Sequence, residues 1–379
     1  MDGFGRENLP YGVARLPGGG ATCVSALDGD VIDLAALASA GAFDVIAGLV
    51  PGVLAQPSLN RFLACGRAVW SGVRTRLGEM IDAGDRLVAT TRTPVTDVEL
   101  ALPVEVGDFV DFSASLHHAV NMARIFRPGT GPLRENWRDF PRGYHGRTGS
   151  IVASGTGVTR PHGRVRTGVR PTAALDIEAE VGFVVGAGNV LGEPIPEAAA
   201  ADHVAGLVLV NDWSARDIQL VESEPLGPFL AKSFATSVSP WLVTLDALAP
   251  YRVPGGGGYD IQIELQLNGV TISCPRFSTM YWSIPQLLAH ATLNGAATRP
   301  GDLFGCGTTS GPDPWTEGSL IELTWDGEHP LRLPDGTSRA YLQDGDTVTL
   351  RGWAGGDGRP LVSLGDVTGT VLPARTLEV

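Results

Sequence analysis

Apolar and polar positions alternate with a period of two along much of this chain. The clearest run is LDIEAEVGFVV, residues 175–185. On a strand, Leu175, Ile177, Ala179, Val181 and Phe183 share one face, and Asp176, Glu178, Glu180, Gly182 and Val184 the other. The run closes on Gly-Ala-Gly-Asn, a turn signal. The same pattern predicts strands over 151–158, 205–212, 241–245, 261–267, 320–325 and 347–350, and a strand–turn–strand unit over 20–32 turned at Leu27-Asp28-Gly29-Asp30. Leu63, Val69, Val73, Leu77 and Ile81 recur near the helical period and predict a helix within 58–83. Residues 34–49 are Ala-rich and partly helical. Residues 107–127 start extended and turn helical near Ala119. Shorter helical pieces are expected at 196–201 and within 212–224. Residues 92–103 read as a Pro-interrupted extended connector, 128–149 as a long polar loop, and Gly255–Gly258 as a flexible one.

Length turns this string of elements into two units. A chain of 379 residues is long for one core. Its character changes at Val104, so a small domain over 1–103 and a larger one over 104–379 are expected. With 50 Gly and 27 Pro among many short strand-like runs, the fold class is β-rich α+β. A net charge of −13 gives no footprint for nucleic acid or an anionic membrane. Cys23, Cys65, Cys274 and Cys306 form no Cys-x-x-Cys pair, which points to free thiols in a reducing cytoplasm. The first residues lack the pattern of a signal peptide, and no run of about 18 apolar residues exists. A soluble cytoplasmic protein is therefore expected. Gly186-Ala187-Gly188 lacks a third glycine and a following helix, which excludes a dinucleotide fingerprint.

The candidate chemistry sits on the acidic face of the 175–185 run. Glu178 and Glu180 stand roughly 7 Å apart along one strand face. With little water, both carboxylates cannot stay charged cheaply; one protonates or a cation neutralises them. The alternative is an edge strand with a wet acidic face. Asp212 ends an apolar strand, and Asp111 precedes the expected helix, where an N-cap or turn role is its alternative. Four such carboxylates would select a hard cation, Mg²⁺ or Ca²⁺. His117 and His118 are adjacent and cannot both face one site; near a helix start a histidine is kept neutral and suits a general base, or is simply exposed or packed. Lys232, in the apolar stretch GPFLAKSFATS, either snorkels or is held by a carboxylate or ligand. Arg216 and Gln219 follow Asp212 at helical spacing, as donors to a ligand or as a surface turn.

Taken together, these motifs resemble the fumarylacetoacetase family. They are ENLPYGV (Glu7–Val13), HHAVN (His117–Asn121), GYHGR (Gly143–Arg147), LDIEAEVGFVVG (Leu175–Gly186), NDWSARDIQ (Asn211–Gln219), PLGPFLAKSFATSVSPW (Pro225–Trp241), GTTSGP (Gly307–Pro312), LQDGDTV and GTVLPAR. The resemblance implies a small N-terminal SH3-like barrel and a larger C-terminal mixed β-roll domain that forms a homodimer. It implies a divalent cation on Asp111, Glu178, Glu180 and Asp212, and a second, structural cation near Asp212, Lys232 and Thr236. It makes His118 the general base and Glu322, in GSLIELTW, the carboxylate that orients it. Arg216, Gln219 and Lys232 would meet developing negative charge, and Arg127, Tyr144 and Thr308 would contact substrate. The implied reaction is metal-dependent cleavage of a carbon–carbon bond in a 1,3-diketone. The default is 4-fumarylacetoacetate, giving fumarate and acetoacetate in tyrosine and phenylalanine degradation.

Two positions depart from the family pattern. Ser113 stands where the family carries a tyrosine after Asp-Phe, and Ser223 where it carries a second tyrosine before Pro-Leu-Gly-Pro. Losing two phenols alters pocket volume and hydrogen bonding. The alternative function is therefore a family member acting on a different diketo acid or metal-bound enolate in a specialised biosynthetic pathway, by hydrolysis, decarboxylation, isomerisation or carbon–carbon bond formation.

Overall fold

A computed structural model describes residues 3–129, 131, 133–254 and 258–377. Most of the expected loop at Gly255–Gly258 lies outside these residues. The fold is β-rich and is built on two sheets. The larger sheet runs in the order Arg92–Pro94, Asp30–Asp33, Ala21–Leu27, Tyr11–Arg15, Trp241–Thr244, Val204–Asp212, Ala179–Val185, Leu303–Gly305, Phe109–Phe112 and Gly143–His145. Most of its pairs are antiparallel, but Leu303–Gly305 runs parallel to Phe109–Phe112. The second sheet orders Val270–Ser273, Ile261–Leu267, Thr347–Gly356, Arg359–Leu372 and Val158–Thr159. The two sheets pack face to face. A Cβ on Gly352 would come 2.7 Å from the Leu209 side chain, and one on Gly369 2.7 Å from Trp213. Both glycines are spacers that let the sheets approach.

The N-terminal segment is not walled off from the rest. Tyr11–Arg15 pairs with Trp241–Thr244, so its strands extend the central sheet. Among the described residues this segment forms no closed barrel. The expected helix within 58–83 is Asn60–Leu63 followed by Arg67–Asp82, separated where Gly66 takes a φ of 89°. The 92–103 connector is more ordered than expected. Arg92–Pro94 and Glu99–Leu100 pair with Asp30–Asp33 and Tyr11–Arg15. The Ala-rich stretch is helical only over Leu34–Ser39.

The acidic run is a central strand pair, not an edge. Ala179–Val185 is hydrogen-bonded to Val204–Asp212 on one side and Leu303–Gly305 on the other, and every residue in it is buried. A wet acidic face is thereby ruled out. The expected strand is also broken: Leu175–Asp176 pairs with Ser214–Ala215, and Ile177 and Glu178 lie between the two strands. One expected strand is a helix. Leu320–Thr324 is a single helical turn, because the buried Asp176 carboxylate accepts the amides of Leu320 and Ile321 at 2.8 and 3.2 Å. Those are amides that a helix start leaves without intrahelical partners.

Candidate active site

Strand register brings distant carboxylates to one point. Asp111 pairs with Gly305 on one side and Tyr144 on the other, and Asp212 pairs with Thr236. Asp111, Glu178, Glu180 and Asp212 each offer an oxygen, and these four atoms lie within 4.8 Å of one another, all buried. Asp111 is therefore a strand residue and not a cap. The cap of helix Leu116–Phe126 is Ser115, whose Oγ accepts the His118 amide at 3.2 Å, and the helix starts three residues before Ala119.

The electrostatics of the cluster are uneven. Burial, followed by carboxylate repulsion, raises Asp111 and Glu180 well above the ordinary carboxylate range. Burial also raises Asp212, against the attraction of Lys232. Glu178 goes the other way: burial would raise it, but Lys232, Arg216 and His118 together hold it low. Asp111 Oδ1 and Glu180 Oε1 are closed off from solvent and have no hydrogen-bond partner among the described residues. Bare oxygens of this kind cost free energy unless a proton or cation meets them. The donor set is all oxygen and suits a hard divalent ion. Gly305 keeps the space open, since a Cβ there would lie 2.4 Å from Asp111 Oδ1 and 2.8 Å from Glu180 Oε2.

Lys232 and Arg216 are neither snorkelling nor on a surface turn. Both are buried. Lys232 Nζ donates to Glu178 and, at 2.9 Å, to Asp212 Oδ2. Arg216 begins helix Arg216–Glu222, gives its Nε to Asp176 Oδ2 at 2.7 Å, and pairs through Nη1 with Glu178 Oε1 at 2.8 Å. Burial opposes both cations, yet Asp176 and Glu178 raise Arg216, and Asp212 and Glu178 raise Lys232. Arg216 Nη1 also donates to Gln219 Oε1 at 3.0 Å, and Arg216 Nη2 has no partner among the described residues. Tyr144 donates its hydroxyl to Asp212 Oδ2 at 2.7 Å, and Thr236 donates to Asp212 Oδ1 at 3.2 Å.

Of the two adjacent histidines only His118 is buried. Its Nδ1 lies 2.8 Å from Glu322 Oε2, and its Nε2 stands 3.9 Å from Glu178 Oε1. Asn121, Ser310 and Ser319 also donate to Glu322, at 3.0, 3.0 and 2.6 Å. Burial would raise that carboxyl, but His118, Ser319 and Asn121 hold it below its ordinary value. A carboxylate on Nδ1 fixes the tautomer and leaves Nε2 to accept a proton.

A cavity of about 430 Å³ opens onto this cluster. Ser113, Arg127, Tyr144, Gln219, Ser223 and Thr308 all line it. The Ser223 hydroxyl, however, donates to the Gln219 carbonyl at 2.6 Å and so satisfies the end of its helix. Thr308 Oγ1 is buried without a partner among the described residues. The expected site residues thus line one cavity or its acidic floor, except Glu322 and Thr236, which reach it through His118 and Asp212. Sequence reasoning missed Asp176, Asn121, Ser310, Ser319 and Gly305. Asp176 had a signal, since it shares the strand face of Glu178 and Glu180; the others had none.

Two family models match. Fumarylacetoacetase N-terminal covers residues 7–103, and Fumarylacetoacetate (FAA) hydrolase C-terminal covers residues 109–372. A fumarylacetoacetase from Arabidopsis thaliana is 42% identical over 98% of this chain and 96% of its own length. That of Homo sapiens is 39% identical over 98% and 96%. Among solved structures, a fumarylacetoacetate hydrolase from Exiguobacterium antarcticum matches with a TM-score of 0.57, 18% identity, and 97% and 100% coverage. A maleylpyruvate hydrolase from Sphingobium sp. SYK-6, in complex with manganese(II) and pyruvate, matches at 0.55 and 15%, over 96% and 100%. These two structures share the fold.

Proposed function

From the premise that the chain belongs to the fumarylacetoacetase family, we propose that it is a C–C hydrolase of 1,3-diketones, with 4-fumarylacetoacetate the substrate and fumarate and acetoacetate the products. The observation that carries this reading is the buried four-carboxylate cluster with two bare oxygens, set beside a carboxylate-oriented histidine.

In this reading Asp111, Glu178, Glu180 and Asp212 hold Mg²⁺ or Ca²⁺. When bound, that ion supplies Lewis acidity to the diketone oxygens and to the departing enolate. The remaining work falls to the chain. Glu322 holds His118 by Nδ1, and Nε2 takes a proton from a water that attacks the carbonyl carbon; the carbon–carbon bond of the adduct then breaks, and the proton held at Nε2 passes to the departing carbon. Arg216 Nη2, the Gln219 amide and Lys232 stand ready as donors for the negative charge that develops at the attacked carbonyl. Their salt bridges to Asp176, Glu178 and Asp212 fix their positions before the reaction, so little reorganisation is needed. Tyr144, Arg127 and Thr308 contact the substrate from the cavity wall, with Ser113 and Ser223 beside them. A second, structural cation near Asp212, Lys232 and Thr236 belongs to the same reading.

The SH3-like N-terminal unit, the domain limits of 1–103 and 104–379, the homodimer and the place in tyrosine and phenylalanine degradation rest on the family resemblance. A cytoplasmic setting is supported by four free thiols, Cys23, Cys65, Cys274 and Cys306. No helix among the described residues is long and apolar enough to cross a membrane.

The test is direct. Purified protein with Mg²⁺ is offered 4-fumarylacetoacetate, and loss of diketone absorbance is followed. Turnover that disappears with a chelator and returns with Mg²⁺ supports the reading; absence of turnover in protein that binds Mg²⁺ rejects the substrate. A second reading, a different diketo acid handled by the same centre, is favoured by one observation: Ser113 lines the cavity with a side chain far smaller than a phenol.

A further inference from the structure

The outer cavity carries charge that this mechanism does not use. Arg142 forms part of its wall, together with Ser113, Phe126, Arg127 and Arg134. The residue is held in place by its backbone: the Arg142 carbonyl accepts the Ser113 amide at 2.8 Å, beside the end of the strand that carries Asp111. Ser113 contributes only a hydroxymethyl group to the space between them.

The guanidinium is positioned but not neutralised. Its Nη2 donates to Asn136 Oδ1, and the group lies over the Phe140 ring at 5.5 Å from the centroid. Its Nε is closed off from solvent and has no hydrogen-bond partner among the described residues. Glu224, the acidic residue on the same rim, is paired with Arg134. No acidic side chain among the described residues forms an ion pair with Arg142. Burial, then the like charges of Arg134 and Arg127, lower the Arg142 pKa from its ordinary value. Like charges gathered on one cavity wall repel, and an anion seated among them removes that repulsion.

We propose that Arg142 is a specificity residue that binds a second carboxylate, at the far end of the substrate's acyl group, so that the enzyme selects diketo diacids over diketo monoacids. The inference rests on the hydrolase reading: with the reacting carbonyl at the acidic floor, the acyl group extends outward into the cavity that Arg142 lines. Guanidinium–carboxylate bonds are charge-assisted and directional, which suits discrimination at a fixed point on a wall. The cavity volume of about 430 Å³ is in the range that holds one small molecule.

Fumarate and crotonate isolate the effect. They share a four-carbon trans-alkene skeleton, and a carboxylate in one replaces a methyl in the other. Each has a carboxylate for the acidic centre's cation, so only the second carboxylate differs. Binding of both to the Mg²⁺-loaded full chain is measured by calorimetry for the wild type, R142Q and R142K. The wild type should prefer fumarate by about tenfold or more. R142Q should lose the preference, and R142K should keep part of it, with melting temperatures unchanged. Equal binding of the two acids by the wild type, binding of neither, or a preference surviving in R142Q overturns the proposal. Turnover is scored separately. A diketone assay that fails beside an Arg142-dependent fumarate preference rejects the reaction. Turnover without that preference rejects the anion subsite.

Discussion

Asp111 and Gly305 face each other across two parallel strands, and a Cβ on Gly305 would stand 2.4 Å from Asp111 Oδ1. The same Cβ would lie 2.8 Å from Glu180 Oε2. The absent side chain therefore sets where two of the four carboxylates can sit. G305A should push both carboxylates off their common point and weaken Mg²⁺ binding by about tenfold or more, because such constellations tolerate only about 0.5 Å of displacement. Titration calorimetry reads the affinity, and circular dichroism shows whether the sheet is intact. An unaltered affinity in a folded variant means the carboxylates have more room than the backbone suggests.

His118 is the candidate base and lies outside the cluster of oxygens. Its Nε2 is 3.9 Å from Glu178 Oε1, too far to compete with a ligand. H118A should lower kcat by about 10²- to 10⁴-fold while Mg²⁺ affinity stays within about twofold. A variant that kept its activity would reassign the proton acceptor.

The difference between what the sequence announced and what it hid follows from sequence separation. The alternation over 175–185 announced Glu178 and Glu180 on one face, because strand periodicity is local. Asp212 was visible as the end of an apolar run. Their convergence was not, since it depends on Leu303–Gly305 being inserted between Ala179–Val185 and Phe109–Phe112. No local pattern encodes that register. Asp176 shows the same limit from the other side. It stood on the acidic face in plain view, but its partners, Arg216 and the Leu320 and Ile321 amides, are 40, 144 and 145 residues away. That one buried carboxylate turned an apparent strand at 320–325 into the helical turn that presents Glu322.

Proton linkage in the metal-free protein has a definite sign. Asp111 and Glu180 are raised well above the ordinary range by burial and by neighbouring carboxylates. The folded chain thus keeps protons that the unfolded chain releases near pH 4. Their contribution to stability is present below that pH and is lost as pH rises through the raised values. Glu178, held low, acts oppositely: its contribution is present above its ordinary value and is lost as pH falls through the lowered one. Metal-free protein should therefore lose melting temperature as pH rises above the carboxylate range. Saturating Mg²⁺ should reverse the loss, adding about 2.7 kcal/mol at one hundred times its dissociation constant. Cation binding should release protons, read as calorimetric heats that change with the buffer's ionisation enthalpy. A melting temperature that rises with pH without metal would contradict the protonated cluster.

Glu322 offers the sharpest separation of orientation from charge. Its Oε2 accepts from His118, Ser310 and Ser319, whereas among the described residues Oε1 accepts from Asn121 alone. In E322Q the amide nitrogen belongs at the Oε1 position, where it opposes one donor and not three. The oxygen that holds His118 Nδ1 is then kept, and with it the tautomer. What disappears is the negative charge that stabilises the imidazolium formed when Nε2 takes its proton. The loss in kcat should therefore be about 10²-fold, below the roughly 10⁴-fold seen when the orienting partner also enforces the wrong tautomer. Substrate KM and Mg²⁺ affinity should stay near wild type, since Glu322 is not among the four clustered carboxylates. E322A would remove orientation and charge together, and should fall toward the level of H118A. If E322Q matched the wild type in steady-state rates, the His118–Glu322 pair would be a packing element and the base would lie elsewhere on the cavity wall.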